Sequence, residues 1–142
     1  MSLLRDFINE HDRFAAASGI ELIEAGQGSA LARMTVQDKH LNGLDIVHGG
    51  AVFTLADLAF AAASNSRGSA AVGINASIHY IRPVQQGSIL TAQAREIFSH
   101  RTLSGYAVEV RDDQDRLVAT FQGTAYKKDA PLIPETEKSR QK

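Results

Sequence analysis

Fourteen residues in the middle of the chain, AVFTLADLAFAAAS from Ala51 to Ser64, contain a single charged side chain, Asp57. The run is too long for an ordinary strand and too short to cross a bilayer, which needs about 20 apolar residues. It reads as a helix that is apolar on nearly every side, and such a helix has to be covered on nearly every side. The rest of the chain must therefore wrap this segment.

The flanking sequence supplies the wrapping. Leu3, Leu4, Phe7, Ile8, His11 and Phe14 recur at helical spacing up to a stop at Gly19, which predicts a lead-in helix within residues 1–18. From Ile20 to Val36 the period changes to two: Ala30, Ala32, Met34 and Val36 alternate with Leu31, Arg33 and Thr35 behind Gly26-Gln27-Gly28, which predicts a hairpin. Residues 37–50 are polar and punctuated by glycine, as in a loop. After Gly68, strand patterns run from Ala71 to Val84, Ile89 to Ser99, around Tyr106 to Arg111, and Leu117 to Tyr126, most simply an antiparallel meander. The expected fold class is α+β, a curved antiparallel sheet wrapped around one long apolar helix. Residues 1–128 form one domain in this reading, and 129–142 a loose polar tail.

Composition narrows the function. With 15 basic against 16 acidic residues and no block of like charge, the chain lacks the electrostatic footprint of a nucleic-acid binder. The absence of cysteine excludes disulfides, thiolate metal sites and cysteine nucleophiles. Charges lie where a secretory signal needs its apolar stretch, so the expected location is the cytoplasm, with no membrane partner. The 21 alanines supply little buried area each, which predicts a thin core and a gain from sharing apolar surface with a second copy.

Two features point to chemistry. An ionised carboxylate among Leu55, Ala56, Leu58 and Phe60 costs several kcal/mol to desolvate unless paired, and no cation lies on its own side of the helix. Directly before the helix stands His48-Gly49-Gly50, where two glycines let a ligand approach the free N–H groups of a helix start, a place suited to an oxygen that becomes negative in a transition state. Equally, the glycines can serve a turn and the Asp can face water. Gly49 and Asp57 are eight residues apart, roughly 12 Å along one helix. One copy cannot bring both to the same small reacting group, so joint action requires antiparallel helices from two subunits.

The segment from His40 to Gly68, with Asn42, Gly43, His48-Gly49-Gly50, Asp57 and Ser64-Asn65-Ser66-Arg67-Gly68, resembles the hotdog-fold acyl-CoA thioesterases, in particular the phenylacetate-degradation (PaaI) subgroup. The resemblance extends through Ile81-Arg82-Pro83 and Val118 to Thr124. It implies that Asp57 is the catalytic carboxylate, as general base or nucleophile, and that the Gly49 N–H polarises the thioester carbonyl. Asn42 would lie near the attacking water or the thioester, and His48 would orient the site. Gly50, Asn65, Arg67, Arg82, His100 and Arg101 are its candidates for substrate binding. The resemblance further implies a homo-oligomer, a dimer or a tetramer of two such dimers, with sites shared between subunits, and no metal or cofactor beyond the CoA of the substrate. Related subgroups carry Glu in place of Asp57, so Asp tilts the expected acyl group toward an aryl-acetyl one. A broad-range acyl-CoA thioesterase and a non-catalytic acyl-CoA binding module are the alternatives; a hotdog dehydratase would want a histidine in the buried helix.

Overall fold

A computed structural model describes residues 2–134. The N-terminal stretch is two helices rather than one, α1 (Leu3–His11) and α2 (Arg13–Ala17). The break falls at Asp12, whose extended backbone and side chain cap α2 by accepting the Ala15 N–H at 3.0 Å. An aspartate that can satisfy a free helix-start N–H favours restarting the helix over continuing it.

Strands β1 (Ile20–Gly26) and β2 (Ser29–Thr35) form the predicted hairpin. Its two-residue turn places Gln27 and Gly28 at φ 53° and 83°, the left-handed pair whose twist matches the flanking strands. The polar stretch that follows contains a short 3-10 helix (Asp38–His40) and a bridge between Leu41 and Val47 before α3 (Gly49–Ser64) begins. The remaining strands are β3 (Ala71–Tyr80), β4 (Ile89–Ser99), β5 (Leu103–Arg111) and β6 (Leu117–Lys127).

The six strands form one sheet in the order β1-β2-β4-β5-β6-β3, with every neighbouring pair antiparallel. The expected four-strand meander is thus corrected: β4, β5 and β6 follow one another, but β3 lies beyond β6 at the far edge. Its placement follows from α3, which delivers the chain to that edge. The chain then passes the start of α3 through Ile81 to Val84 and returns beside β2.

The concave face carries α3. Small residues line both sides of the contact, Ala30, Ala32, Ala92, Ala94 and Ala119 on the sheet and Ala56, Ala59, Ala62 and Ala63 on the helix, all of them buried. These small side chains let the helix lie close on its own sheet. Phe60 fills the deepest part, packed on Phe121 and Tyr106 with ring centroids 5.7 Å apart in each case. It needs Gly73 and Gly123 beneath it, since a Cβ at either would come within 2.8 Å of the ring. Truncating such a side chain to alanine costs about 3–5 kcal/mol.

The start of the expected loose tail is fixed: Ala70 N–H donates to the Ala130 carbonyl at 2.7 Å and Ile133 is buried. The rest of the tail, residues 135–142, lies outside the described residues.

Candidate active site

The site is built around the first turn of α3. His40 is buried; its Nδ1 accepts the Gln37 N–H at 2.9 Å, its Nε2 donates to the Ser18 carbonyl at 2.6 Å, and its own carbonyl accepts the His48 N–H at 2.7 Å. Asn42 shapes the next turn, with Oδ1 accepting from the Leu44 N–H at 2.9 Å and the Ile46 N–H at 3.4 Å. Its amide nitrogen makes no hydrogen bond among the described residues. His48 is the N-cap: its Nδ1 accepts the Gly50 N–H at 2.8 Å, and its carbonyl accepts from Ala51 at 3.0 Å and Val52 at 3.3 Å. A Cβ on Gly50 would stand 3.0 Å from that imidazole nitrogen, which is why the cap needs glycine there.

A helix start leaves four N–H groups without helical partners. Here those of His48, Gly50 and Ala51 have acceptors, and that of Gly49 has none among the described residues. This N–H stands at the positive end of the helix dipole. Gly49 also lines a cavity of about 340 Å³, whose walls include Asn42, Val52, Tyr80, Ile81, Arg82 and Val118. The arrangement offers one hydrogen-bond donor, with an amide nearby, at the edge of a largely apolar pocket, where a carbonyl oxygen that gains negative charge could be held.

Tyr80 was not singled out by the sequence. Its hydroxyl donates to the Gly49 carbonyl at 3.0 Å, and its ring lies so close over Gly49 that a Cβ there would be 3.0 Å from Cζ. Strand alternation sets Tyr80 on the same face as Ala76 and Ile78, toward α3, but nothing local to the sequence says that this strand ends at the helix start. Arg82 follows on the cavity wall, and its guanidinium makes no hydrogen bond or ion pair among the described residues.

Asp57 lies two turns further along α3. In a single chain it is exposed, on a stripe with Gly50, Thr54 and Ala61, while Leu55, Ala56, Leu58 and Phe60 point into the core. The expected cover on nearly every side is therefore missing along this one stripe. The apolar atoms beside it nevertheless strip part of its hydration and push its pKa above the ordinary carboxylate value, with the negative charge of Asp12 as the second cause.

The other candidates sit at the far end of the helix. The Asn65 amide donates to the carbonyls of Ala61 at 2.8 Å and Ala71 at 3.1 Å, and its Oδ1 accepts the Ala71 N–H at 2.8 Å. Arg67 makes two hydrogen bonds to Glu96, at 3.0 and 3.1 Å, and a third to the Gln27 carbonyl at 3.1 Å. These bonds hold the Glu96 carboxyl below its ordinary pKa, and Glu96 in turn accepts from the Tyr106 hydroxyl at 3.2 Å. His100 and Arg101 occupy the β4–β5 turn; since Ser99 pairs with Ser104 and Leu103 with Tyr126, whereas Tyr80 pairs with Ala119, this turn is at the end of the sheet away from Gly49. One chain thus brings together Asn42, His48, Gly49, Gly50 and Arg82, and leaves Asp57, Asn65, Arg67, His100 and Arg101 apart from them. Among the described residues no three His, Asp or Glu side chains are grouped to hold a metal ion, and no helix is long and apolar enough to cross a membrane.

Comparison with known proteins gives consistent relatives. Residues 44–119 match the profile of the Thioesterase superfamily. The acyl-coenzyme A thioesterase PaaI of Escherichia coli is 40% identical over 118 residues, covering 83% of this chain and 84% of its own. The solved structure of the E. coli PaaI protein, from the phenylacetic acid degradation operon, superposes with a TM-score of 0.87 at 37% identity over 90% of this chain and 93% of that one. A Streptococcus mutans protein bound to acetyl-CoA superposes with a TM-score of 0.75 at 28% identity, over 79% of this chain and 90% of that one.

Proposed function

The chain belongs to the thioesterase superfamily, and on that premise we propose that it hydrolyses acyl-CoA thioesters to a free acid and CoA, with an aryl-acetyl group such as phenylacetyl or hydroxyphenylacetyl as the acyl part. The observation that carries this reading is the Gly49 N–H, the one first-turn donor of α3 without an acceptor among the described residues, beside a pocket with apolar and aromatic walls.

In the proposed reaction the thioester oxygen accepts from the Gly49 N–H, and the Asn42 amide faces the attacking water or the thioester. His48 holds the loop by capping Gly50. The nucleophile adds to the carbonyl carbon, the C–S bond breaks, and the CoA sulfur leaves with a proton from the attacking water or the solvent. As general base Asp57 takes the proton from the attacking water and passes it to the leaving sulfur; as nucleophile it attacks the carbon itself, forming an anhydride that water then opens, and the sulfur takes its proton from solvent. Incorporation of oxygen-18 into its carboxylate in a single turnover separates the two routes.

Asp57 and Gly49 of one chain are roughly 12 Å apart along α3, so the site requires a second copy. The uncovered stripe of Gly50, Thr54, Asp57 and Ala61 suits an antiparallel α3 from that copy, which would set its Asp57 beside this Gly49. The unit is then a dimer with two shared sites, from which a tetramer is built. Arg82 is the candidate for the CoA phosphates, as it borders the cavity and its guanidinium has no partner among the described residues. The cytoplasm, where acyl-CoA is found, is the proposed location.

The test is thiol release from a panel of aryl-acetyl and alkyl CoA esters by wild type and Asp57→Asn. The expected result is highest kcat/KM for phenylacetyl-type esters and near-complete loss of turnover, with retained ester binding, in the variant. A preference for long alkyl chains would make the enzyme a broad-range thioesterase, and binding without release would make it a carrier. Mixed dimers of a Gly49-disabled chain and an Asp57→Asn chain should regain activity at sites that take one intact residue from each.

A further inference from the structure

We infer that Tyr80 is a positioning residue for the Gly49 N–H, because its hydroxyl and the His48 imidazole pin the two ends of the single peptide group that joins Gly49 to Gly50. This rests on the proposed thioester hydrolysis. A peptide group is planar, so the carbonyl of Gly49 and the N–H of Gly50 point in opposite directions from one rigid plate. The Tyr80 hydroxyl donates to the first at 3.0 Å and the His48 Nδ1 accepts the second at 2.8 Å.

The pin answers a problem that the sequence creates. Two consecutive glycines let a ligand reach the backbone, but they also have the widest conformational freedom of any pair. A helix start is where that freedom is least restrained, because only the carbonyl of the plate takes part in the helical ladder. The Gly49 N–H belongs to the neighbouring His48–Gly49 peptide group, which meets this plate at the Gly49 Cα, so displacement of the plate shifts that shared atom and with it the N–H, and displacement of a reacting group by about 1 Å can cost up to a hundredfold in rate. The Tyr80 hydroxyl acts from the cavity side, opposite the His48 cap, and its ring rests against the Gly49 Cα at the distance where a side chain would collide. The tyrosine is 55% exposed, so it is not a core residue and its hydroxyl is not needed to fill the fold. Its bond joins the edge strand to the helix start, elements connected in no other way at this point by a side-chain hydrogen bond among the described residues.

The test is Tyr80→Phe, which keeps the ring and removes the hydroxyl. With phenylacetyl-CoA, kcat should fall about tenfold while KM stays within about twofold and the melting temperature is unchanged. In the ligand-free protein, amide hydrogen exchange of the 47–53 segment should quicken while β4 and β5 keep their wild-type rates. Wild-type kcat, a loss confined to KM, or unchanged exchange of that segment would each overturn the inference. If the wild-type protein released no CoA from any ester, the proposed function would fail, and the exchange measurement would still decide whether Tyr80 holds the plate.

Discussion

The two ends of α3 differ in what they leave unsatisfied. At its C-terminal end each polar group singled out by the sequence has a partner: Asn65 is bonded to Ala61 and Ala71, Ser66 donates to the Ala63 carbonyl and accepts the Gly28 N–H, and Arg67 is bonded to Glu96 and Gln27. At its N-terminal end the bonds among the described residues stop short of the Gly49 N–H, the Asn42 amide nitrogen and the Arg82 guanidinium. Saturation is the mark of an anchor, since a free buried or half-buried polar group costs about 1–3 kcal/mol. Donors left open beside an apolar cavity can instead be completed by a ligand.

Gly49→Ala should have the largest effect on this contrast. Its methyl would meet the Tyr80 ring at 3.0 Å, forcing either the ring or the helix start to shift. The expected loss in kcat for aryl-acetyl-CoA is about a hundredfold, comparable to losing one oxyanion donor, with the folded protein intact by circular dichroism. Activity near the wild-type level would mean that the open donor is not in use.

Asn65→Ala probes the opposite end. It removes two hydrogen bonds that tie the close of α3 to Ala71 at the start of β3 and one to Ala61 in the last turn of the helix, and strands the Ala71 N–H. A loss of about 2–3 kcal/mol of unfolding free energy in urea is expected, with kcat and KM per folded enzyme unchanged. A raised KM at unchanged stability would restore Asn65 to the substrate site.

Arg67→Gln comes next in size. The Arg67 side chain is half exposed, and Glu96 keeps the Tyr106 hydroxyl as a donor, so removal of the guanidinium should lower the melting temperature only slightly and leave the KM for CoA esters unaltered. A KM raised about tenfold would show that the guanidinium leaves Glu96 for a phosphate.

These outcomes bear on how far the sequence could be read. The hairpin, the apolar helix and the strands were legible because each follows a period set by burial, Ala30 to Val36 in twos and Leu55 to Ala63 in helical turns. The order of the strands was not, because a run such as Ala71–Tyr80 carries no mark of its neighbour, and β3 pairs with β6 only once α3 has carried the chain across the sheet. His48, Gly49 and Asp57 could be picked out, since each breaks a local rule: glycines at a helix start, an acid in an apolar run. Tyr80 breaks none. Asn65 and Arg67 were offered as ligands by the resemblance alone, and in the single chain their polar groups are engaged by Ala61, Ala71, Glu96 and Gln27, which no local pattern announces.

The smallest effect expected is also the most selective, and concerns Asp57, which lies between the two ends. Its pKa is raised first by partial desolvation from the surrounding apolar atoms and then by the charge of Asp12. Raising the pKa of an acid means that the folded state holds its proton more tightly than the unfolded one. The contribution to stability is then full below the ordinary carboxylate range and is lost as pH rises through the raised value. Asp57→Asn should therefore melt higher than wild type at neutral pH, and the two should converge in acid. Catalysis has the opposite dependence, because it needs the ionised form: the rate should fall on acidification at a pH above that of an ordinary aspartate. Asp12→Asn keeps the cap on α2, as asparagine accepts the Ala15 N–H equally well, and removes only the charge. It should shift the acid limb of kcat/KM a little toward lower pH with no change in stability at neutral pH beyond that of the relieved repulsion. An acid limb that does not move would show that desolvation alone raises Asp57, and would separate the N-terminal helices from the tuning of the site.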